Sequence, residues 1–179
     1  VDEIGREITS YAWQELLKHP TPRGGCYMPS CILFVTYLGA GRGVGATPDG
    51  RKAFTALNDS IGAVAGRDKK GPTALLKSVC TLPLTLAIGT PVLNLRLRKE
   101  LFKTEADLKR LAQLVRSYFK SGGLQLQISV LDAKEMKEAQ KEPEKHSGMI
   151  VRMGGYSEYF NNIEKGLQDS VIERTEHGL

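Results

Sequence analysis

Apolar positions along this chain change period several times, and each change marks an element. From 1 to 18, Ile4, Ile8, Tyr11, Trp13, Leu16 and Leu17 recur at helical spacing and predict a helix with a broad apolar face. Pro20 and Pro22 stop it, and Arg23-Gly24-Gly25 predicts a loop. Residues 31–37 form a nearly unbroken apolar run, which predicts a strand buried on both faces. The stretch 39–52 is turn-rich, with a tight turn at Pro48-Asp49-Gly50. Pro72 predicts the first position of a short helix that buries Leu75, Leu76 and Val79.

The period then drops to two. Leu93, Leu95 and Leu97 alternate with Asn94, Arg96 and Arg98, as in a half-buried strand. Thr104 predicts the cap of a helix running to about Lys120, with Leu108, Leu111, Val115, Tyr118 and Phe119 on one face and Ser121-Gly122-Gly123 at its end. Period two returns at 124–130. Asp132 with Glu135 predicts a capping box on a short helix closed by Pro143, and 149–153 predicts an extended piece ending on Gly154-Gly155. A last helix is predicted from about Ile163 to Thr175. The order of elements is mixed α/β with buried strands.

Composition narrows the class. The 179 residues are 41% hydrophobic and 25% charged, a profile that can bury one core. No apolar stretch approaches the roughly 18 residues that a membrane span needs. The first residues lack the basic start and apolar block of a signal peptide. Glycine is in excess, at 19 residues. Charge is uneven: 61–130 holds 12 Lys and Arg against 4 Asp and Glu, whereas 131–179 holds 7 against 10. No aromatic residues interleave with the basic ones as a nucleic-acid stacking platform requires. A basic face that meets an acidic one is the expectation, with no nucleic-acid or membrane partner. The three cysteines, Cys26, Cys31 and Cys80, make no disulfide framework. Cys26 and Cys31 have no second pair at zinc spacing, so no metal is expected. A reducing, cytoplasmic setting follows, with Cys31 and Cys80 as buried free thiols.

Two motifs fail on mechanism. Gly41-x-Gly43-x-x-Ala46 matches a dinucleotide fingerprint on paper, but Thr47-Pro48-Asp49-Gly50 follows where a helix must begin to hold a pyrophosphate. His19, His146 and His177 lie near chain ends or in a charged run, with no nucleophile motif beside them. Gly154-Gly155, read alone, is an ordinary glycine turn.

The surrounding residues change that reading. Val151-Arg152-Met153-Gly154-Gly155-Tyr156-Ser157-Glu158-Tyr159-Phe160 resembles the C-terminal signature of the glycyl radical enzymes, an R-V-x-G-Y pattern with an aromatic residue beyond it. That family includes pyruvate formate-lyase and the glycerol and diol dehydratases. The run from Val44 to Ala53 is similar to a loop of the dehydratase-like branch. Gly71-Pro72-Thr73-Ala74, Ser121-Gly122-Gly123, Gln127-Ile128-Ser129-Val130 and the tail from Leu167 to His177 fall in family order. Met153 departs from the family's usual Val, though it fits an apolar slot.

The resemblance implies the C-terminal part of the family's α/β barrel: strands and helices over 1–130, then the radical loop and a closing helix over 131–179, as one continuous domain. It implies a backbone radical on Gly155, with Arg152 and Tyr156 supporting the loop. The radical would be installed after translation by a radical activase that uses S-adenosylmethionine and an iron–sulfur cluster, with no cofactor bound to the chain itself. In the family the radical passes to a cysteine in a Gly-Cys-Val-Glu-like context, which this sequence lacks. The chain alone is therefore expected to be inactive, as part of a lyase, dehydratase or formate acetyltransferase-like enzyme whose remainder carries that cysteine. The start at Val1 inside a helix, without Met, points the same way. The resemblance leaves the substrate and any homo-oligomeric assembly open. The other reading is a standalone spare-part protein that replaces the oxygen-cleaved end of such an enzyme.

Overall fold

A short parallel sheet sets the frame. The computed structural model describes residues 1–33, 35–64 and 66–174, and the backbone of 176–177. Strand β1 (Asn94–Leu97) pairs in parallel with β2 (Gln127–Val130), Asn94 opposite Gln127 and Leu97 opposite Val130. On its other side β1 pairs in parallel with β5 (Glu176–His177). Parallel neighbours need a crossover, and α4 (Glu105–Lys120) supplies it between β1 and β2. Thr104 caps α4 as expected: its hydroxyl accepts from the Asp107 amide, and Asp107 Oδ2 accepts from the Thr104 amide at 2.9 Å, a reciprocal box.

β1 is not half-buried. Leu95, Arg96 and Leu97 are all buried. The buried cation caps the end of a helix through its two terminal nitrogens. Arg96 Nη1 donates to the Val171 carbonyl at 2.7 Å, and Nη2 donates to the carbonyls of Ile172, at 3.1 Å, and Arg174. These carbonyls close α6 (Lys165–Glu173), where a helix leaves unpaired acceptors and the negative end of its dipole. α6 is shorter than expected. Thr175 lies outside the described residues, and beyond it the backbone pairs with β1 instead of continuing the helix.

The strand expected at 31–37 does not form. Cys31 and Ile32 make isolated bridges to Pro91 and Ser60, and α2 (Thr36–Gly41) begins where the strand should continue; Phe34 lies outside the described residues. A short apolar run cannot by its period tell a buried helix from a strand. Here Leu33, Val35, Tyr37 and Leu38 join a core instead of a ladder. Gly41 lets the chain at 55–57 lie directly on α2, because a Cβ would run into the Thr55 carbonyl and the Ala56 and Leu57 backbone.

Two apolar clusters hold the elements. The first joins Trp13 of α1 (Asp2–Lys18), Leu75, Leu76 and Val79 of α3 (Pro72–Val79), the leucines of β1 and Tyr118 of α4. Of the face predicted on α1 only Trp13 is buried, and Ile4, Ile8, Tyr11 and Leu16 are exposed. Leu108 and Phe119 of α4 are likewise exposed. The second cluster joins Tyr37, Met136 and Ala139 of α5 (Ala133–Lys141), Val151, Met153, Phe160, and Leu167 and Val171 of α6. Asp132 caps α5 through the Lys134 amide at 2.7 Å, but the expected box is absent: Glu135 turns instead to Lys99, 3.5 Å away. No helix among the described residues is long and apolar enough to cross a membrane.

Candidate functional site: the glycine hairpin

β3 (Ile150–Arg152) and β4 (Ser157–Tyr159) form an antiparallel hairpin with Arg152 opposite Ser157. Period two sorts its residues. Val151, Met153 and Phe160 are fully buried in the second cluster, while Ile150, Arg152, Ser157 and Tyr159 face outward. The Phe160 amide donates to the Met149 carbonyl at 2.8 Å at the base, and the Met153 amide to the Tyr156 carbonyl at 2.9 Å at the tip. Gly154 is buried beneath the tip and Gly155 is exposed on it. Gly155 has φ of +103°, a conformation that L side chains rarely adopt.

Arg152 spans the tip with all three guanidinium nitrogens. Nη2 donates to the Gly155 carbonyl, Nη1 to Ser157 Oγ and Nε to Gln127 Oε1, each at 3.2 Å. The structure thus brings Arg152 onto Gly155. Tyr156 contributes its backbone to the turn, while its side chain is exposed.

Beneath lie residues to which the sequence assigned no site role, although Gln127 opens the run to Val130 that falls in family order. Gln127 is buried at the first position of β2; its Nε2 donates to the Met153 carbonyl and, at 2.7 Å, to Asn94 Oδ1. Asn94 Nδ2 donates to Asp59 Oδ2 at 2.9 Å, and Arg174 Nη2 lies 3.0 Å from the same oxygen. The signal available was a pair of polar residues, Asn94 and Gln127, at the heads of two strands, each on the face opposite its strand's apolar residues. Nothing in the sequence gives the register that sets one opposite the other.

Beside the hairpin lies a cavity of about 290 Å³ whose wall includes Arg51, Asp59, Asn94, Arg96, Arg152 and Arg174. Arg51, buried, clamps the turn-rich loop: Nη1 donates to the Thr55 carbonyl at 2.8 Å, and Nη2 to the Gly45 carbonyl. Gly50, at φ +90°, closes the turn expected at 48–50, its amide donating to the Thr47 carbonyl at 3.0 Å. No helix begins at Gly43, so the segment does not cradle a phosphate.

The cysteines stand apart from the hairpin. Cys31 and Cys80 are partly buried and pack against the first cluster, and Cys26 is exposed in a loop. Burial pushes the thiols of Cys31 and Cys80 upward, away from the reactive thiolate. Among the described residues, no group of His, Cys, Asp and Glu could hold a metal ion. His19 is exposed and His146 half-buried; the side chain of His177 lies outside the described residues.

Comparison with known proteins places the chain in a family. The family model described as "Glycine radical" matches residues 57–161. Trans-4-hydroxy-L-proline dehydratase of Clostridioides difficile is 37% identical over 175 residues, covering 98% of this chain and 22% of that protein. Indoleacetate decarboxylase of Tractidigestivibacter scatoligenes is 40% identical over 182 residues, covering 98% and 20%. Among solved structures, the B12-independent glycerol dehydratase of Clostridium butyricum in its glycerol-bound form superposes with a TM-score of 0.95 at 36% identity, covering 99% of this chain and 23% of that one. The chain thus spans about a fifth of the length of the curated relatives it matches. The expected α/β architecture of the radical domain is present, and by sequence and by fold the chain belongs to the glycine radical family.

Proposed function

We propose that the chain is the C-terminal radical-bearing portion of a glycyl radical enzyme of the dehydratase-like branch, and that Gly155 carries the radical. The observation that carries this reading is the tip itself: a glycine at positive φ, exposed, with a guanidinium on its carbonyl. A Cα radical is stabilised when the centre flattens, so that the unpaired electron is shared between the amide nitrogen and the carbonyl. A Cβ would crowd that plane, and only glycine lacks one. The Arg152 hydrogen bond draws electron density toward the Gly155 oxygen and so favours the accepting half of this sharing.

Exposure of Gly155 supports installation by an external activase of the radical S-adenosylmethionine type. The chain's own thiols do not replace the missing catalytic cysteine. Cys31 and Cys80 pack against the other cluster, where burial pushes their thiols up, and Cys26 is exposed in a loop away from the hairpin. Substrate attack therefore belongs to a cysteine outside these residues, and residues 1–130 and 131–179 act as one continuous radical unit in the cytoplasm.

The test uses oxygen as a reporter. Dioxygen adds to a backbone Cα radical, and the chain breaks there. Activated anaerobically and then exposed to air, the chain should be cut at Gly155, with both fragments visible by mass spectrometry. A chain that demonstrably holds a radical and yet stays intact in air would exclude Gly155 as its seat.

A further inference from the structure

The polar residues beneath the tip form a one-way chain. Each link donates to the next: Arg152 Nε to Gln127 Oε1, Gln127 Nε2 to Asn94 Oδ1, Asn94 Nδ2 to Asp59 Oδ2. Its direction is imposed by its ends. A guanidinium can only donate and a carboxylate can only accept, so both carboxamides between them have one admissible orientation. Turning Gln127 over would set its oxygen against the Met153 carbonyl and Asn94 Oδ1, and its NH₂ against the Arg152 N–H. Gln127 is buried, so such mismatches would stay uncompensated by water.

This chain bears on the tip at two points. Gln127 receives Arg152, whose other nitrogens hold Gly155 and Ser157, and it donates to the Met153 carbonyl two residues before Gly155. Gln127 and Asn94 are themselves fixed by the β1–β2 register. Among the described residues the tip is thus attached to the sheet through the Gln127 carboxamide, while Met153 and the hairpin base are held separately by the burial of Met153, Val151 and Phe160.

We propose that Gln127 is the positioning residue of the radical loop: its carboxamide latches the tip to the sheet, and release of that latch frees residues 154–156 to swing outward, breaking the bond from the Met153 amide to the Tyr156 carbonyl, while Met153 and the hairpin base stay packed. For the radical step the proposal rests on the function proposed above; the latch itself does not depend on it.

Two variants separate the latch from general destabilisation. Gln127→Met keeps the side-chain length and removes all three bonds. Gln127→Glu keeps, and strengthens, the bond from Arg152 but cannot donate to Met153 or Asn94. Residue-resolved hydrogen exchange on the native polypeptide that carries this sequence reads the tip without any radical. In both variants the Met153 amide should exchange roughly tenfold faster or more, the factor expected for one to two lost net hydrogen bonds. Amides of β1 and α6 should be unchanged. Under anaerobic activation the initial rate of radical formation should rise by a similar factor, because a freed tip can reach further into an activase than one held against the sheet.

Unchanged exchange at Met153 in both variants would overturn the latch. Exchange rising equally through β1 and α6 would overturn it too, as a sign that Gln127 serves only general stability. If the unsubstituted protein forms no radical at all, the functional reading fails, and exchange still decides the latch on its own.

Discussion

At the residue scale the site consists of one glycine and what touches it. The radical signature was legible as a string of residues, because it is local and its spacing is fixed by the hairpin. Arg152 was legible as part of that string, but not what it does. That it reaches Gly155, Ser157 and Gln127 at once depends on a turn geometry the sequence does not state. Tyr156 fits the string equally well, yet its side chain stands exposed while its carbonyl closes the turn. Gln127, Asn94 and Asp59 were out of reach, since they meet through pairing of segments more than thirty residues apart. The roles of Arg152 can be separated from its charge. Lysine keeps the charge but offers a single ammonium in place of a planar three-point fork. Arg152→Lys should lower the yield of radical by roughly tenfold, the effect of losing one to two net hydrogen bonds at the tip, as counted by electron paramagnetic resonance (EPR) spin quantitation against the unsubstituted chain.

At the element scale, the caps and breaks were read well and the apolar faces less so. Thr104, Asp132 and Pro72 each start a helix where the sequence places it, because a cap depends on a few adjacent atoms. The run at 31–37 failed because burial, not period, decides its conformation. The hairpin is the element that matters most, and its underside makes it firm. Phe160 is fully buried against the second cluster. Phe160→Ala should destabilise the fold by about 3–5 kcal/mol, the usual cost of emptying such a site, as measured by urea unfolding.

α4 gives a prediction in acid. The hydroxyl of Thr104 holds the Asp107 carboxyl below the ordinary aspartate value, with help from the Thr104 amide and Arg110. A carboxyl lowered in the folded state adds stability above its unfolded value. That contribution fades as pH falls through the folded value. Fraying of the first turn of α4 should therefore set in below about pH 4, visible as faster amide exchange at Asp107 and Leu108, and Asp107→Asn should remove this acid dependence.

At the scale of the whole molecule, one cluster packs on the leucines of the sheet and the other is tied to that sheet by polar side chains. The first carries the partly buried cysteines and the second carries the glycine hairpin. Arg96 joins them by capping α6 from β1, and the chain from Gln127 to Asp59 joins them again beneath the tip. The mixed α/β class followed from the order of elements. The parallel pairing of β1 with both β2 and β5 did not, because pairing partners distant in sequence leave no local mark. Several apolar side chains remain exposed: Ile4, Ile8 and Tyr11 on α1, and Ile150, Tyr156 and Tyr159 around the tip. A surface of that kind around the proposed radical site suits a domain that works against a larger body.

The proposed role of the hairpin stands or falls with an unpaired electron on Gly155. The direct measurement is an EPR spectrum of the protein after anaerobic incubation with a radical S-adenosylmethionine activase of a dehydratase-type relative, S-adenosylmethionine and a reductant. A doublet is expected from the one hydrogen left on the glycine Cα. It should collapse to a single line when the protein is grown on α-deuterated glycine, and it should be absent from Gly155→Ala. A doublet that survives in Gly155→Ala, or an activase that labels its own relative and leaves this protein silent, would contradict it.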